Sequence, residues 1–398
     1  MNENDFFGST LFQELRDDLE AESRFTATYR IAADTYEEAK ERAFGIAVEQ
    51  TVECPYELVE DSWIGRHIVG QIEDIQQPGS GVYYATISYT PDAVDGEFSE
   101  LLNMLFGNAS LYPGVRLMSF ALTDAMYAGF QGPRFGRAGI RNLCGVQDGP
   151  IFMSAVKPIG TSAKELAAMV SALARGGCPI IKDDHSLYNQ SYAPFAERVA
   201  ACADAVREAN AKTGGSSIYI ANASGDGLEF LRRAYEAQEL GADGIMAAPG
   251  IIGFPLIQQL AEADDFHLPL FIHPCFSGCA TMHEDSGISP FCYYGQIGRL
   301  AGADAVIFTS FGGRFSHSEE DCQRIAGSTG ADMGTLKPAF PVPSGGMKWQ
   351  LFPNMCRVYG SDAIFLVGGA LQTQGPDLYE NTRFFMEKLA EARENANR

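Results

Sequence analysis

Basic residues are scarce in this sequence of 398 residues. Lysine and arginine together number 29, against 51 aspartates and glutamates, and the formal net charge is −22. Such a charge repels the phosphates of nucleic acids and the headgroups of anionic lipids, so a broad polyanion-binding surface is not expected. A small phosphorylated ligand is compatible with the charge, because a few local donors can hold it. The composition therefore favours a small-molecule ligand over a nucleic acid or a membrane.

Long apolar runs and paired cysteines are missing as well. No run reaches the length of a transmembrane helix, and the opening MNENDFFGSTLFQELRDDLEAES lacks the basic and apolar regions of a signal peptide. The nine cysteines are scattered and include no CxxC pair, which is typical of reduced thiols. The stretch HPCFSGC with His283 lacks the usual zinc-ligand spacing, so packed cysteines are favoured over a zinc site. We expect a cytoplasmic protein without disulfides.

The length and the hydrophobic content of 46% favour a globular chain of two domains. Residues 1–20 are expected to form a polar leader. Residues 21–135 carry strand and helix patterns in the order β-α-β-β-α-β, which predicts a ferredoxin-like α+β domain. Its first helix is expected over residues 35–51, with Thr35 as the N-cap residue.

Residues 136–398 alternate apolar runs with segments of helix length, and this alternation predicts an α/β fold, a (β/α)8 TIM barrel. A doubly wound sheet is the alternative, although it rarely has eight uninterrupted repeats. The active site of a TIM barrel lies at the C-terminal ends of its strands, so the last residues of the runs should meet there. The runs are IFMSAVKP, PIIKDDH, SIYIANAS, GIMAAP, LPLFIHP, DAVIFTS, LKPAFPVPSGG and DAIFLVGGA.

The second run ends in a cluster of ionisable residues. The alternation of a strand places Lys182 and Asp184 on one face, and His185 follows where the strand ends. Asp184 and His185 are potential ligands of a divalent cation, whereas an ammonium group cannot ligate one. Lys182 therefore needs a partner, a lowered pKa or a covalent change. A salt-bridge cluster that closes the barrel is the alternative interpretation.

Glycine pairs follow the seventh and eighth runs, at loops where barrels commonly bind phosphate, and a further pair after the sixth run could serve the same end. A glycine pair alone is usually only a turn, but pairs at the expected loops favour a phosphate site. The residues concerned are Gly312, Gly313 and Arg314 after the sixth run, Ser344, Gly345 and Gly346 after the seventh, and Gly368 and Gly369 after the eighth. His273, at the end of the fifth run, is a candidate general base, ligand or core histidine.

These strand ends together resemble the RuBisCO large chain. The resemblance rests on AVKPIG, GGCPIIKDDH, FIHP, PVPSGG and FLVGGA behind a ferredoxin-like domain, and it spans about residues 24–390. It implies that Lys182 takes up CO2 to become a carbamate, the anionic form that ligates Mg2+ beside Asp184 and His185. This would resolve the ligand problem at Lys182.

The resemblance also implies roles that the residue pattern does not assign. Lys157 corresponds to the lysine that handles the enolising proton, and His273 matches an active-site histidine. Glu49 and Asn108 fall where the family supplies groups across a dimer interface. The expected assembly is therefore a homodimer or larger, with two chains completing each site around a phosphorylated small-molecule substrate.

The chain departs from the carboxylating enzymes at several positions. His185 stands where those enzymes have a glutamate ligand, and Ile159 replaces a second lysine. Pro274 and Ser277 replace an arginine and a histidine, the Thr-Trp pair after the Glu49 region is absent, and the loop TSFGGRFSHSEED lacks the mobile lysine. A cation that stabilises a developing carboxylate is typically worth several kcal/mol, so CO2 fixation on ribulose bisphosphate is not expected. The pattern is similar to form IV, the RuBisCO-like proteins, and suggests a ligand with one phosphate.

Three functions are compatible with these residues. The first is decarboxylation of a phosphorylated 3-oxo sugar acid of the 3-oxo-isoapionate 4-phosphate type, which the EQTVECP, GGRF and SGGM stretches favour by similarity. The second is enolisation or isomerisation of a methylthio-ribulose-type phosphate, as in methionine salvage. The third is a non-catalytic binding protein on a decayed enzyme scaffold. A metal, a proton-transferring lysine and a phosphate site serve both enzymatic functions.

Overall fold

The computed structural model describes residues 23–315 and 317–396, so the predicted polar leader lies outside the described residues. The chain forms two compact units. Unit 1 contains residues 23–129, Cys279–Cys292 and Met333–Thr335, and unit 2 contains Phe130–Gly278, Tyr293–Asp332 and the residues from Leu336 onwards. The chain leaves unit 1 after Gly129, whereas the sequence pattern predicts the change after residue 135, and two later segments return to unit 1.

The strands of the described residues are, in chain order, β1 (Phe25–Ala32), β2 (Gln71–Gly79), β3 (Val82–Tyr89), β4 (Val115–Ala121), β5 (Ile151–Val156), β6 (Ile180–Asp183), β7 (Ile218–Asn222), β8 (Gly244–Ala247), β9 (Leu270–Ile272), β10 (Gly287–Ile288), β11 (Ala305–Thr309), β12 (Phe340–Ser344) and β13 (Ile364–Leu366). They form one sheet of five strands and one of eight.

The α-helices are α1 (Tyr36–Glu49), α2 (Trp63–His67), α3 (Phe98–Phe106), α4 (Asp124–Ala128), α5 (Gly136–Cys144), α6 (Ala163–Arg175), α7 (Phe195–Thr213), α8 (Leu228–Glu239), α9 (Pro249–Ile252), α10 (Phe254–Glu262), α11 (Gly278–Thr281), α12 (Gly298–Leu300), α13 (Glu319–Ser328), α14 (Phe352–Tyr359), α15 (Gly369–Gln372) and α16 (Leu378–Ala396). Short 3-10 helices cover Tyr56–Leu58, Pro91–Ala93, Asn108–Leu111 and Trp349–Leu351, and a π-helix covers Phe291–Ile297.

Unit 1 contains the predicted ferredoxin-like fold. Its sheet has the order β10-β4-β1-β3-β2, in which β1 is antiparallel to both β3 and β4. Alternate residues of β1 are buried, as the pattern predicts for a strand with one covered face. Helix α1 begins after Thr35, whose hydroxyl oxygen accepts the N–H of Glu38 at 3.2 Å, so the predicted N-cap is confirmed.

Unit 2 is the predicted barrel. All eight apolar runs form parallel strands in the order β12-β11-β9-β8-β7-β6-β5-β13, and β12 lies next to β13, so the sheet curls round on itself. The alternation of apolar runs and helices therefore predicted the fold correctly. No helix within the part of the chain that the structure describes is both long enough and apolar enough to cross a membrane.

The interior of the barrel is filled by every second residue of its strands. Helix α5 contributes Ile140 and Cys144 to the same cluster. The interior residues of the strands include Ile151 and Met153, Ile180, Ile218 and Ile220, Phe271, Phe340 and Val342, and Ile364 and Leu366. Continued to the C-terminal ends, this alternation reaches Lys157 (after Ala155), Lys182, Asn222, His273, Ser344 and Gly368. The apolar core below thus places these polar residues around one opening.

Candidate functional site

Neighbouring residues at the end of β6 have different surroundings. Lys182 is only 2% exposed, and its Nζ donates to the carbonyl oxygen of Asp183 at 2.7 Å. The Asp183 side chain is fully buried behind the strand, where it accepts from Arg198 Nε at 3.1 Å, the Tyr219 hydroxyl at 2.8 Å and the N–H of Asn222 at 3.0 Å. Asp183 therefore has a complete set of partners and is structural.

Burial changes the acidity of Lys182. Removal from water lowers the pKa of its ammonium group to about 8, although the carboxylates of Asp184 and Asp183 oppose this change. A lysine with a pKa near 8 is partly neutral under ordinary conditions. Its amine can therefore act as a nucleophile or a proton acceptor. A lowered pKa is one of the three alternatives that the sequence left open for Lys182.

Asp184 lies close to three other ionisable groups at the ends of β6 and β5. Its Oδ1 accepts the N–H of Ser186 at 3.0 Å and lies 3.3 Å from His185 Nδ1, while its Oδ2 lies 3.8 Å from Lys157 Nζ. Burial favours the neutral acid, but the charge of Lys182 and the Ser186 N–H outweigh it and lower the pKa of Asp184. Asp184 is thus a carboxylate whose oxygens retain acceptor capacity.

His273 is held in one tautomer. Its Nδ1 accepts the N–H of Cys275 at 3.1 Å, and its ring stacks on that of His185 with centroids 4.5 Å apart. Burial, with the positive charges of Lys182 and Lys157 nearby, holds the pKa of His273 well below its usual range. The ring is therefore neutral. Because Nδ1 accepts the Cys275 N–H, the ring proton is assigned to Nε2. His273 can donate a hydrogen bond from Nε2 but cannot act as a base there.

The side chains at this opening fit a divalent cation only in part. Asp184 and His185 provide two ligands of suitable type, and burial lowers the pKa of His185 so that the imidazole is neutral and can ligate. Among residues 23–315 and 317–396, no three His, Cys, Asp or Glu side chains are grouped to hold a metal ion. Asp184 and His185 alone therefore do not make a complete cation site.

Lys157 also adjoins the glycine loop after β13. A Cβ atom on Gly368 would lie 2.9 Å from Lys157 Nζ, so only glycine leaves room for the lysine at its observed position. The side chain of Gln372 donates to the Lys157 carbonyl at 3.1 Å and ties the two loops together. The structure thus brings Lys157, Gly368 and the adjacent Gly369 together.

The loops after β11 and β12 are bonded to each other. The N–H of Arg314 donates to the Gly345 carbonyl at 2.8 Å, and a Cβ on Gly313 would lie 2.1 Å from the same oxygen. Gly345 and Gly346 have φ angles of 93° and 101°, which suit glycine, and the Ser344 hydroxyl donates to the Phe308 carbonyl at 2.8 Å. Arg314 makes no ion pair with any described carboxylate and is available to an anionic ligand.

Glu49 and Asn108 lie in unit 1 and bond to each other. Asn108 Nδ2 donates to Glu49 Oε1 at 3.0 Å, and the Tyr112 hydroxyl donates to Glu49 Oε2 at 3.2 Å. Burial and the Glu49 carboxylate raise the pKa of Tyr112. Glu49 and Asn108 line a cavity of about 410 Å³ in this unit, together with Gln50, Glu53, Asp92, Glu100 and Asn103.

Two partners in these clusters were missed by sequence reasoning. Tyr112, which orients Glu49, has no sequence signal beyond lying four residues after Asn108. Arg198 had a usable signal, because it falls on the buried face of α7 between Phe195 and Val199. A buried arginine there requires an acceptor, and Asp183 is the residue of β6 that points away from the barrel interior.

Comparisons with known proteins agree with this architecture. Residues 137–374 match the family described as "Ribulose bisphosphate carboxylase large chain, catalytic domain". The chain is 38% identical to 5-methylthioribulose-1-phosphate isomerase of Rhodospirillum rubrum, covering 93% of this chain and 97% of the relative. It is 34% identical to 2,3-diketo-5-methylthiopentyl-1-phosphate enolase of Geobacillus thermodenitrificans, covering 88% and 87%.

A solved structure is similar over nearly the whole chain. The RuBisCO-like protein of Rhodopseudomonas palustris has 36% identity and a TM-score of 0.83, covering 93% of this chain and 99% of that one. The catalytic-domain match covers most of unit 2, and these relatives extend the likeness through unit 1. The chain therefore belongs to the RuBisCO large-chain family, among its RuBisCO-like proteins.

Proposed function

We propose that the barrel site moves a proton at a carbon next to the carbonyl of a phosphorylated ketose, as an enolase or isomerase of a methylthioribulose-type phosphate. The observation that carries the proposal is the position of Lys157 Nζ, 3.8 Å from Asp184 Oδ2 and beside the glycine loop after β13. An amine at the mouth of a barrel, next to a carboxylate and two neutral imidazoles, suits general acid–base catalysis. The isomerase and enolase names of the relatives support the same chemistry.

In this proposal, the proton leaves the substrate carbon for Lys157 Nζ, and the electron pair of the broken C–H bond moves onto the carbonyl oxygen. The Nε2–H of His273 donates a hydrogen bond to the oxygen that becomes negative. Delivery of a solvent-derived proton to the same carbon gives exchange with solvent, and delivery of a proton to the neighbouring carbon gives an isomer. No oxidant or second substrate is required.

Decarboxylation, the first function that the sequence suggested, forms the same enediolate by losing CO2 instead of a proton. The relatives named above are an isomerase and an enolase, so they give no support to a decarboxylase. Isomerisation or enolisation is therefore preferred, and CO2 release is the outcome by which the test would reverse this preference.

We further propose that Asp184, His185 and a carbamate on Lys182 hold Mg2+. A neutral Lys182 Nζ forms a bond to the carbon of CO2 and loses one proton to solvent, which converts a neutral amine into the missing anionic ligand. Bound Mg2+ would polarise the substrate carbonyl. Carbon-13 NMR with labelled bicarbonate and Mg2+ should show a carbamate signal that is absent from a Lys182→Met variant. A wild-type protein without this signal would refute the carbamate.

The glycine loops are proposed to hold a single phosphate. The backbone N–H groups around Gly345, Gly346, Gly368 and Gly369 would contact the anion, with Ser344 and Arg314 as further contacts. One phosphate is consistent with Pro274, which stands where carboxylating enzymes have an arginine. An Arg314→Gln variant should raise KM for the phosphorylated substrate more than it lowers kcat.

Glu49 and Asn108 are proposed to act in the site of a second chain. Their mutual hydrogen bond and the Tyr112 contact orient the carboxylate before any substrate binds. Mixing an inactive Glu49→Gln variant with an inactive Lys157→Met variant should then restore about a quarter of wild-type activity, if subunits exchange randomly into dimers with one intact site in each hybrid. Mixtures that exchange subunits without regaining activity would place both groups in the site of one chain.

The test of the main proposal is solvent proton exchange. Incubation with 5-methylthioribulose 1-phosphate in D2O, with Mg2+ and bicarbonate, should replace a substrate hydrogen with deuterium, as followed by proton NMR. A Lys157→Met variant should lose this exchange. Lys212→Met is the matched control, because Lys212 is exposed at the end of α7 and pairs with the exposed Glu208; it should keep wild-type exchange.

The other outcomes identify the other functions. CO2 release from 3-oxo-isoapionate 4-phosphate without exchange on the methylthio substrate would establish the decarboxylase. A protein that binds these phosphates but shows neither exchange nor CO2 release, with or without metal, would be a binding protein.

A further inference from the structure

The Asn222 side chain bonds to the loop that carries Asp184 and His185. Asn222 ends β7, is 1% exposed, and follows Ile218 and Ile220 in the interior alternation of that strand. Its Nδ2 donates to the carbonyl oxygens of His185 at 2.9 Å and Leu187 at 3.0 Å, and lies 3.4 Å from that of Asp184. One amide group thus holds three carbonyls of a single loop.

The orientation of this amide is fixed from behind. Asn222 Oδ1 accepts the N–H of Ser224 at 3.2 Å. If the amide were flipped, its oxygen would face the carbonyl oxygens of the loop and its NH2 group would face the Ser224 N–H, so both sets of hydrogen bonds would be lost. The backbone N–H of Asn222 donates to Asp183 Oδ2 at 3.0 Å, and Arg198 Nε binds the same oxygen at 3.1 Å. The amide therefore rests on a buried network that has little freedom to move.

The same loop is held from its other side by Arg198. This fully buried guanidinium donates to the carbonyls of Tyr188 at 2.9 Å and Ala193 at 3.2 Å, beyond the reach of Asn222. Of these two side chains, Asn222 is the one that contacts the carbonyls of residues 184 and 185. The Asp184 carbonyl also accepts the N–H of Leu187 at 3.1 Å, and Arg198 reaches the Leu187 carbonyl at 3.4 Å. The direction in which Asp184 and His185 project therefore depends on Asn222 more than on Arg198.

We propose that Asn222 is a positioning residue for the Asp184–His185 pair, fixing the backbone of these residues so that both side chains approach one cation. This inference rests on the proposed function, because that proposal makes the pair a metal site. The observed contacts of the Asn222 amide NH2 are with backbone carbonyl oxygens. Asn222 acts through the peptide groups of the ligands, as groups behind the ligands of metal sites commonly do.

The test compares Asn222→Ala with Asn210→Ala. Asn210 is a matched control, because its side chain also clamps a backbone segment, donating to the Ser217 carbonyl at 2.8 Å and accepting its N–H at 2.9 Å, before β7 begins. Mn2+ binding is measured by electron paramagnetic resonance in bicarbonate buffer, with Mn2+ as the probe. Stability is measured by urea unfolding.

We expect Asn222→Ala to bind Mn2+ 10- to 100-fold more weakly, the usual effect of removing such a group, and Asn210→Ala to bind as the wild type does. Equal Mn2+ affinity in Asn222→Ala and wild type overturns the inference alone. The inference is also overturned if Asn222→Ala and Asn210→Ala both lose Mn2+ affinity in proportion to their loss of stability. The loss would then come from general destabilisation and not from the position of the ligands. A wild type that binds no Mn2+ refutes the proposed metal site and the inference with it.

A second variant covers the case in which Asn222→Ala does not fold. Asn222→Ser keeps one hydrogen-bond donor at the same place and leaves a smaller cavity. We expect its Mn2+ affinity to lie between those of the alanine variant and wild type. If the alanine variant does not fold, the expected affinity of the serine variant is about 3- to 10-fold below that of wild type. Unchanged affinity in the folded serine variant contradicts the inference.

Discussion

Two carboxylates at opposite ends of the barrel, one buried and one partly exposed, show how structural and reactive groups differ. Asp304, just before β11, accepts the N–H groups of Phe135 at 2.7 Å, Gly136 at 2.6 Å and Leu270 at 2.9 Å. Asp184, just after β6, accepts one N–H group at 3.0 Å and otherwise meets ionisable side chains at 3.3 Å and 3.8 Å. Backbone donors complete the first site, whereas the second can still bind a ligand or respond to charge.

The same contrast occurs between adjacent residues of one strand. Asp183 is enclosed by Arg198, Tyr219 and the Asn222 N–H, while Asp184 faces the opening. Substitutions that remove only the charge should therefore lower the stability strongly at Asp183 and change it little at Asp184.

The largest expected effect is the loss of stability in Asp183→Asn. This change leaves the fully buried Arg198 guanidinium without its counter-charge, which typically costs about 3–5 kcal/mol. Asp184→Asn should change the free energy of unfolding by less than about 1 kcal/mol, because its partners are distant and partly exposed. Urea unfolding measures both. Equal destabilisation by the two substitutions would contradict the division into a structural and a reactive carboxylate.

Lys157→Met should have the converse effect, with activity lost and stability kept. Removal of a general acid–base group typically lowers the rate by about 10²–10⁴-fold. Lys157 is 3.8 Å from Asp184 and about a third exposed, so its ion pair adds little stability. The measurements are kcat/KM for solvent exchange and the urea midpoint. A variant that keeps the exchange rate but unfolds more easily would assign Lys157 to the structural class.

Local patterns predicted most of the fold. Each apolar run of unit 2 became a strand and the residues around Thr35 became a capped helix, because these features depend on near neighbours in the chain. The membership of Cys279–Cys292 in unit 1 could not be predicted. Its strand β10 has only two residues and pairs with β4, which lies far away in sequence, so it carries no periodic signal.

The candidate site was predictable to the level of strand ends, not of individual contacts. Alternation along the strands explains why Lys157, Lys182 and His273 face one opening. The tautomer of His273 and the clamp by Asn222 depend on loop backbones that fold back on themselves, and such geometry leaves no mark on residue spacing. The roles of these residues in catalysis stay predictions until the exchange and metal-binding experiments are done.

Glycines at the two ends of the barrel offer a smaller test. Gly345, beside the proposed phosphate site, has a φ of 93° and a Cβ there would lie 2.8 Å from the Phe315 ring; Gly214, which ends α7, has a φ of 71° and no atom within 4 Å of such a Cβ. Alanine at either position should lower stability by about 1 kcal/mol through its left-handed backbone. Only Gly345→Ala should raise KM for the phosphorylated substrate, by about tenfold as a loss of about 1.4 kcal/mol in binding. An equal rise of KM in Gly214→Ala would show that KM responds to a general loss of stability and not to the phosphate site.

The smallest expected effect is a pH dependence of stability from Asp304. Burial raises the pKa of this carboxyl to about 6 from an ordinary value of 3.8, despite its three N–H donors. A raised pKa means that the folded state binds the proton more tightly, so the stability contribution grows as the pH falls through 6 and is complete below about 4. Between pH 7 and pH 5, the unfolding free energy of wild type minus that of Asp304→Asn should rise by about 1 kcal/mol. Asp362→Asn is the control, because the Arg141 and Arg137 partners lower the pKa of Asp362 against the effect of burial and place its titration below this range. If this difference does not change with pH, the three backbone donors outweigh burial and keep Asp304 ionised. Hydrogen bonding, rather than burial, would then decide the charge of this carboxyl group.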